Sequence, residues 1–140
     1  MNKDGEIIII EDDEDDQFLL EEVFSSLGYP NKRVYLPDGL AALEYLHGDN
    51  IAPFLILSDI NMPRLDGIEL RQKLHTDEQL SLKCIPYLFF STAVSQRMVI
   101  DAYSNSIQGF FLKQNSVDDL KDTIKVIVEY WKKCAAPNNF

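Results

Sequence analysis

The sequence predicts an α/β protein in which helices wind both faces of a five-stranded parallel sheet. Three observations predict it. Short apolar runs alternate with longer amphipathic stretches along the whole chain. Two of those runs, Ile7–Ile10 and Phe54–Leu57, are apolar at every position, as strands buried on both faces are. Capping residues and glycines fall at the junctions. Strands alternating with helices imply βαβ units and a parallel sheet, and right-handed crossovers leave few ways to order it.

The elements follow in turn. Ile7–Ile10 is the first strand. From Asp15 to Leu27, Phe18, Leu19, Glu22, Val23 and Leu27 recur at helical spacing, and Gly28 suits the left-handed C′ position. Lys32 to Leu36 is a partly polar run, expected at a sheet edge. Asp38 caps a second helix with Leu40, Leu43 and Leu46 on one side and Gly48 at its end. The run Phe54–Leu57 leads into Ser58 and Asp59, and Gly67 to Thr76 reads as a third helix. Pro86 opens the strand Tyr87–Phe90, where a first position tolerates proline. Ser95 to Asn105 is a helix and Gly109 to Leu112 a short strand. Ser116 caps a last helix with Asp118 and Asp119 in its first turn. It runs to about Lys133 and presents Leu120, Ile124, Ile127, Val128 and Trp131 on one face.

A length of 140 residues accommodates a single domain with its core over about 6–133, followed by a short flexible C-terminal tail. The formal net charge of -10 opposes binding to nucleic acid or to anionic membranes. Cys84 and Cys134 are far apart and outside any C-x-x-C motif, so free thiols in a reducing compartment are expected. No signal peptide and no membrane-length apolar run is present, and a cytoplasmic location is the expectation.

In an open α/β sheet, sites lie beyond the carboxyl ends of the strands. Those ends carry Glu11-Asp12 after the first strand, Asp59 after the third, Ser91-Thr92 after the fourth and Lys113 after the fifth. A parallel sheet brings them to one edge. Clustered carboxylates repel unless a cation separates them, and Mg²⁺ suits a few carboxylates, a carbonyl and several waters. Glu11 and Asp12 read as metal holders. Asp59, following the central apolar strand, reads as a nucleophile toward phosphorus, with Lys113 as a second fixed positive charge. Asp13 to Asp16 read as a solvated helix N-terminus.

The segments IIIIED, LILSDINMPRLDG, IPYLFFST and GFFLK resemble the four signatures of response-regulator receiver domains of two-component signalling. The resemblance spans roughly Glu6 to Lys133, and D-x-N-M-P-x-x-D-G from Asp59 to Gly67 is its most specific part. The opening acidic run is similar to single-domain, CheY-like members related to phytochrome-associated response regulators. The resemblance implies a flavodoxin-like (βα)5 fold with strand order 2-1-3-4-5. It implies Asp59 as phosphoacceptor and Mg²⁺ held by Glu11, Asp12, Asp59 and the backbone carbonyl of Asn61. It implies Lys113 as partner of the phosphoryl oxygens and Phe110 as the rotating aromatic. Ser91 matches the switch hydroxyl counted from Pro86, with Thr92 one residue away as the other candidate.

Two positions depart from the pattern. Gln114 stands where the family usually has proline, often after a cis bond. A cis bond before a non-proline residue costs about 2.5–4 kcal/mol, so a trans or strained loop is expected. Phe110 replaces the usual tyrosine and cannot donate a hydroxyl hydrogen bond.

The function so implied is that of a stand-alone receiver, a phosphoacceptor signalling protein rather than an enzyme, which assists its own phosphorylation and dephosphorylation. It would take a phosphoryl group from a histidine kinase or histidine phosphotransfer protein. A two-state switch would carry the signal to an unidentified protein partner or a homodimer, with Tyr103, Phe110 and Phe111 as candidate contacts. Asn61 and Ala93 would flank the path of the hydrolytic water. The alternative is a pseudo-receiver acting only as a protein-interaction module. An aspartate-dependent phosphatase needs a second acid where Asn61 stands. A flavodoxin-like electron carrier needs a phosphate-cradling loop after the first strand, and none is present.

Overall fold

The computed structural model describes residues 1–92 and 94–137. Its strands are β1 (Ile7–Ile10), β2 (Arg33–Leu36), β3 (Leu55–Ser58), β4 (Tyr87–Ser91) and β5 (Gly109–Leu112). They form one sheet in the order β2-β1-β3-β4-β5, with every pair parallel. Fold class and strand order are those expected. The helices are α1 (Glu14–Leu27), α2 (Gly39–Leu46), α3 (Gly67–Thr76), α4 (Glu78–Ser81), α5 (Gln96–Ser104) and α6 (Val117–Lys133).

Side-chain alternation along the strands divides the core in two. Ile7, Ile9, Leu55, Leu57, Leu88 and Phe90 pack with Leu20, Val23 and Phe24 of α1 and with Leu120, Ile124, Ile127 and Val128 of α6. On the other face, Ile8, Ile10, Ile56, Tyr87 and Phe89 pack with Ala42 and Leu46 of α2, Leu70 and Leu74 of α3, and Ala102 of α5. A central strand covered on both sides must be apolar at every position, which is why Ile7–Ile10 has no polar face. Each fully buried Ile, Leu or Phe contributes about 1.5–3 kcal/mol.

Several local expectations are corrected. Phe18 and Glu22 do not face the core; Leu20, Val23 and Phe24 do, and Phe18 is 67% exposed. The apolar residues of α1 admit two phases at the helical period, and packing against α6 selects the second. In α2 the inward residues are Gly39, Ala42 and Leu46, while Leu40 is exposed. A Cβ on Gly39 would lie 2.3 Å from the Leu65 carbonyl oxygen, so only glycine fits there without a backbone shift. Among the described residues six helices are present rather than five. The additional one-turn α4 is capped by Asp77, which accepts from the Leu80 N–H, and buries Leu80. Beyond α6, Ala136 is buried in the α1–α6 core; the last three residues of the expected tail lie outside the described part.

Where the helices begin and end was otherwise legible. Asp38, Ser95 and Ser116 each cap the helix that follows, and Gly28 closes α1 at φ 74°. Cys84 and Cys134 are free thiols. No helix among the described residues is long and apolar enough to cross a membrane.

Gly67 connects the fold to the strand-end region. Its N–H donates to the Ile60 carbonyl. A Cβ there would meet the Asp59 carbonyl oxygen at 2.4 Å and Phe89 Cε1 at 2.6 Å. Neither neighbour is the free end of a flexible chain. Gly67→Ala is therefore expected to cost about 1–3 kcal/mol through overpacking, read as a lower urea midpoint. An unchanged midpoint would show that the β3–α3 loop yields freely.

Candidate functional site

The register places the strand ends level. Ile10 pairs with Leu36 and with Ser58, Ser58 with Phe89, and Ser91 with Leu112. The backbone ladder then continues one residue past each strand. The Glu11 N–H donates to the Leu36 carbonyl at 3.0 Å, the Asp59 N–H to that of Ile10 at 3.0 Å, and the Lys113 N–H to that of Ser91 at 2.9 Å. Three chemically active residues are thus fixed by main-chain bonds to the neighbouring strand.

Their side chains converge. One carboxylate oxygen from each of Glu11, Asp12 and Asp59 lies within 4.8 Å of the other two. Lys113 Nζ stands 2.9 Å from Glu11 Oε1, 3.4 Å from Asp16 Oδ2 and 3.7 Å from Asp59 Oδ2. Asp59 Oδ1 accepts from the Ile60 N–H at 2.7 Å. Beneath it, Tyr87 donates its hydroxyl to Ser58 Oγ, and Ser58 donates to the Asp59 carbonyl. Gln17 Nε2 donates to the Glu11 carbonyl. The adjoining loop is held by Arg64, whose guanidinium meets both carboxylate oxygens of Asp38.

The electrostatics are those of a crowded acidic pocket. Burial, then the neighbouring Asp16 and Asp59, push the Glu11 carboxyl up to about 8, against the pull of Lys113. Burial works against the charge of Lys113, but the hydrogen bond and charge of Glu11, followed by Asp59 and Asp16, outweigh it and raise its pKa. Glu11 Oε2 is sealed from solvent and has no hydrogen-bond partner among the described residues. An orphaned carboxylate oxygen beside two further carboxylates fits a hard divalent cation with oxygen ligands.

A pH dependence follows. In the folded state Glu11 keeps its proton to about 8, whereas in the unfolded chain it releases it near 4.5. Between those values the unfolded state binds fewer protons, so stability falls as pH rises. With divalent cations chelated, the loss from this group is expected to be on the order of 3 kcal/mol between pH 5 and 8. Urea midpoints across that range check it. A Glu11→Gln chain should show little of this decline; an equal decline in both would assign it elsewhere.

A family model described as the response regulator receiver domain matches residues 7–125. The chain belongs to that family. Among relatives, a probable methanogenesis regulatory protein, FilR2 of Methanothrix harundinacea, is 33% identical over 129 residues, covering 89% of this chain and 82% of that protein. The phosphorylated cyanobacterial phytochrome response regulator RcpA superposes with a TM-score of 0.84 at 28% identity, covering 95% of this chain and 98% of the other. The Mn²⁺-bound response regulator Rcp1 gives 0.80 at 29% identity, covering 94% and 97%. Receiver domains are signalling proteins of two-component systems and bind Mg²⁺ in an acidic cluster, here Glu11, Asp12 and Asp59.

The structure brings together Glu11, Asp12, Asp59 and Lys113. Asn61 is exposed two residues past Asp59. Ser91 is buried at the end of β4, whereas Thr92 is exposed. Phe110 is half-buried against Phe89, with ring centroids 5.9 Å apart. The peptide between Lys113 and Gln114 is trans. Of the candidate contact residues, Tyr103 is exposed while Phe110 and Phe111 are half-buried. Ala93 lies outside the described residues.

Asp16 is the residue that sequence reasoning missed. It was expected to be solvated, yet its carboxylate reaches Lys113 from the first turn of α1. No spacing signal marked it: Asp16 lies in the first turn of α1, whereas Asp12 precedes the cap residue Asp13 and is outside the helix.

Proposed function

We propose that this chain accepts a phosphoryl group on Asp59 from a histidine kinase or histidine phosphotransfer protein, in a Mg²⁺-dependent reaction, and signals to a protein partner by a conformational switch. The observation that carries this reading is the convergence of Glu11, Asp12, Asp59 and Lys113 around one small gap. Glu11, Asp12, Asp59 and the Asn61 carbonyl are the ligands we assign to Mg²⁺, which when bound supplies positive charge to the phosphoryl oxygens.

In the transfer, a carboxylate oxygen of Asp59 attacks phosphorus as the bond to the donor imidazole breaks. Lys113, already 3.7 Å from Asp59, stabilises oxygens that gain charge. The hydrogen bond from the Ile60 N–H orients the attacking carboxylate.

Ser91 is the hydroxyl we assign to the switch, in preference to Thr92. It shares a face of β4 with Phe89 by strand alternation, and Phe110 packs on Phe89 from the next strand. Movement of Ser91 toward the acyl phosphate leaves space on that face into which Phe110 can rotate. This remodels the surface formed by α5, β5 and α6, and the phosphate biases an existing equilibrium between two states. Because Phe110 has no hydroxyl, the inward state is stabilised by packing alone. The phosphorylated state of RcpA and the bound Mn²⁺ of Rcp1 support the same chemistry here.

The test is direct. Incubation with Mg²⁺ and acetyl phosphate is expected to add one phosphoryl mass to the intact protein, and chelation should prevent it. No gain under these conditions, and none with a phosphorylated phosphotransfer protein, would leave a pseudo-receiver that acts only through protein contacts.

A further inference from the structure

At the opposite end of the sheet, beneath the amino ends of β3 and β4, lies a second cavity of about 570 Å³. That is within the range of small-molecule sites, about 300–1,000 Å³. Its walls are mainly apolar, with Ile56, Leu74, Leu80, Ile85 and Trp131 among them. It shares no residue with the acidic pocket.

Its charge is the reverse of the chain's. The protein carries 23 acidic residues against 13 Lys and Arg, yet none of the described residues lining this cavity is Asp or Glu, while Arg71 and His75 both line it. Arg71 is the unusual member. It is only 9% exposed, and it makes no ion pair with any described carboxylate.

Its hydrogen bonds run to two main-chain carbonyls, Nε to Asn105 at 3.1 Å and Nη2 to Ser106 at 2.6 Å. The guanidinium also lies 5.6 Å from the Tyr87 ring centroid. Two carbonyls explain why a cation is tolerated at the end of α5. They leave three of the five guanidinium N–H donors available. Burial lowers the pKa of Arg71, and a buried charge is ordinarily paired.

We infer that this cavity binds a small amphiphilic anion, a carboxylate carried on an apolar body, with the carboxylate on Arg71 and the body along the Leu74–Leu80–Trp131 wall. A planar carboxylate can take two parallel N–H donors from a guanidinium. His75, at the rim, adds a second polar contact for the same group. An acidic peptide segment is disfavoured, because the surrounding surface of a chain with net charge -10 would repel its further charges.

The chain contains its own reporter. Trp131 is the sole tryptophan and lines the cavity. Titration of the full chain with decanoate, below its micelle concentration, is expected to give a saturable change in Trp131 emission. Decanol, which has the same apolar body and no charge, should bind at least about tenfold more weakly. Arg71→Gln should remove that preference. If the variant does not fold, the comparison of decanoate with decanol on the native chain still decides. Equal binding of the two, no saturation with decanoate, or an undiminished preference in a folded Arg71→Gln chain would overturn the assignment.

Discussion

Asp59→Asn is expected to abolish the phosphoryl mass gain and, in the absence of divalent cations at pH 8, to make the protein more stable by about 1–2 kcal/mol. The first effect follows from the chemistry, since an amide oxygen does not replace a carboxylate as nucleophile toward phosphorus. The second follows from the crowding. Asp59 is one of the neighbours that push the Glu11 carboxyl upward, and one of its oxygens lies within 4.8 Å of one oxygen each of Glu11 and Asp12. Two unit charges at that distance repel by about 3 kcal/mol at an effective dielectric near 20. The lost attraction to Lys113 at 3.7 Å offsets part of this.

An asparagine also keeps the oxygen that accepts from the Ile60 N–H, and it gains an N–H₂ that can donate to Glu11. The gain should shrink toward pH 6, where Glu11 is largely protonated and exerts little repulsion. Denaturation curves at the two pH values, with chelator present, check this. A less stable Asp59→Asn chain at pH 8 would mean that the pocket is already relaxed without a cation. Function and stability are opposed at this residue because the carboxylates that prepare the site for a cation repel one another until one arrives.

The fold was legible in the sequence where burial left no choice. β1 and β3 are covered on both faces, so composition alone marked them, and the residues immediately beyond them formed the site. The partial polarity of β2 announced an edge strand, and each of its residues is half-buried. What could not be read was phase. In α1, apolar residues at 18, 19, 20, 23, 24 and 27 support more than one inward face, and only tertiary packing against the sheet and α6 removes the ambiguity. Four-residue α4 is shorter than any periodicity can reveal. Asp16 was obscured by its neighbours: in a run of six acids nothing local distinguishes the one that α1 turns toward a lysine 97 positions away. The register, which the sequence does not display, sets Phe89 opposite Phe110 and puts Ser91 on their face.

Lys113→Met is expected to move two quantities in opposite directions, and that opposition separates a chemical role from a structural one. The Lys113 side chain is 9% exposed and touches Glu11, Asp16 and Asp59. Without its charge, the rate of phosphorylation from acetyl phosphate should fall by about 10²–10³-fold, the usual cost of losing one preorganised group at a developing oxyanion. Mg²⁺ should instead bind more tightly, by about tenfold, because a competing cation has left the carboxylates. Above pH 8, where Glu11 is ionised, stability without metal should drop by about 3 kcal/mol, since removing one partner leaves the buried carboxylate uncompensated. The drop is limited because Glu11 can retain its proton to a pH above its already raised value. Saturating Mg²⁺ should recover much of that loss and none of the rate. If Mg²⁺ affinity and phosphorylation rate fell together, Lys113 would be holding the pocket's shape rather than meeting the phosphoryl group.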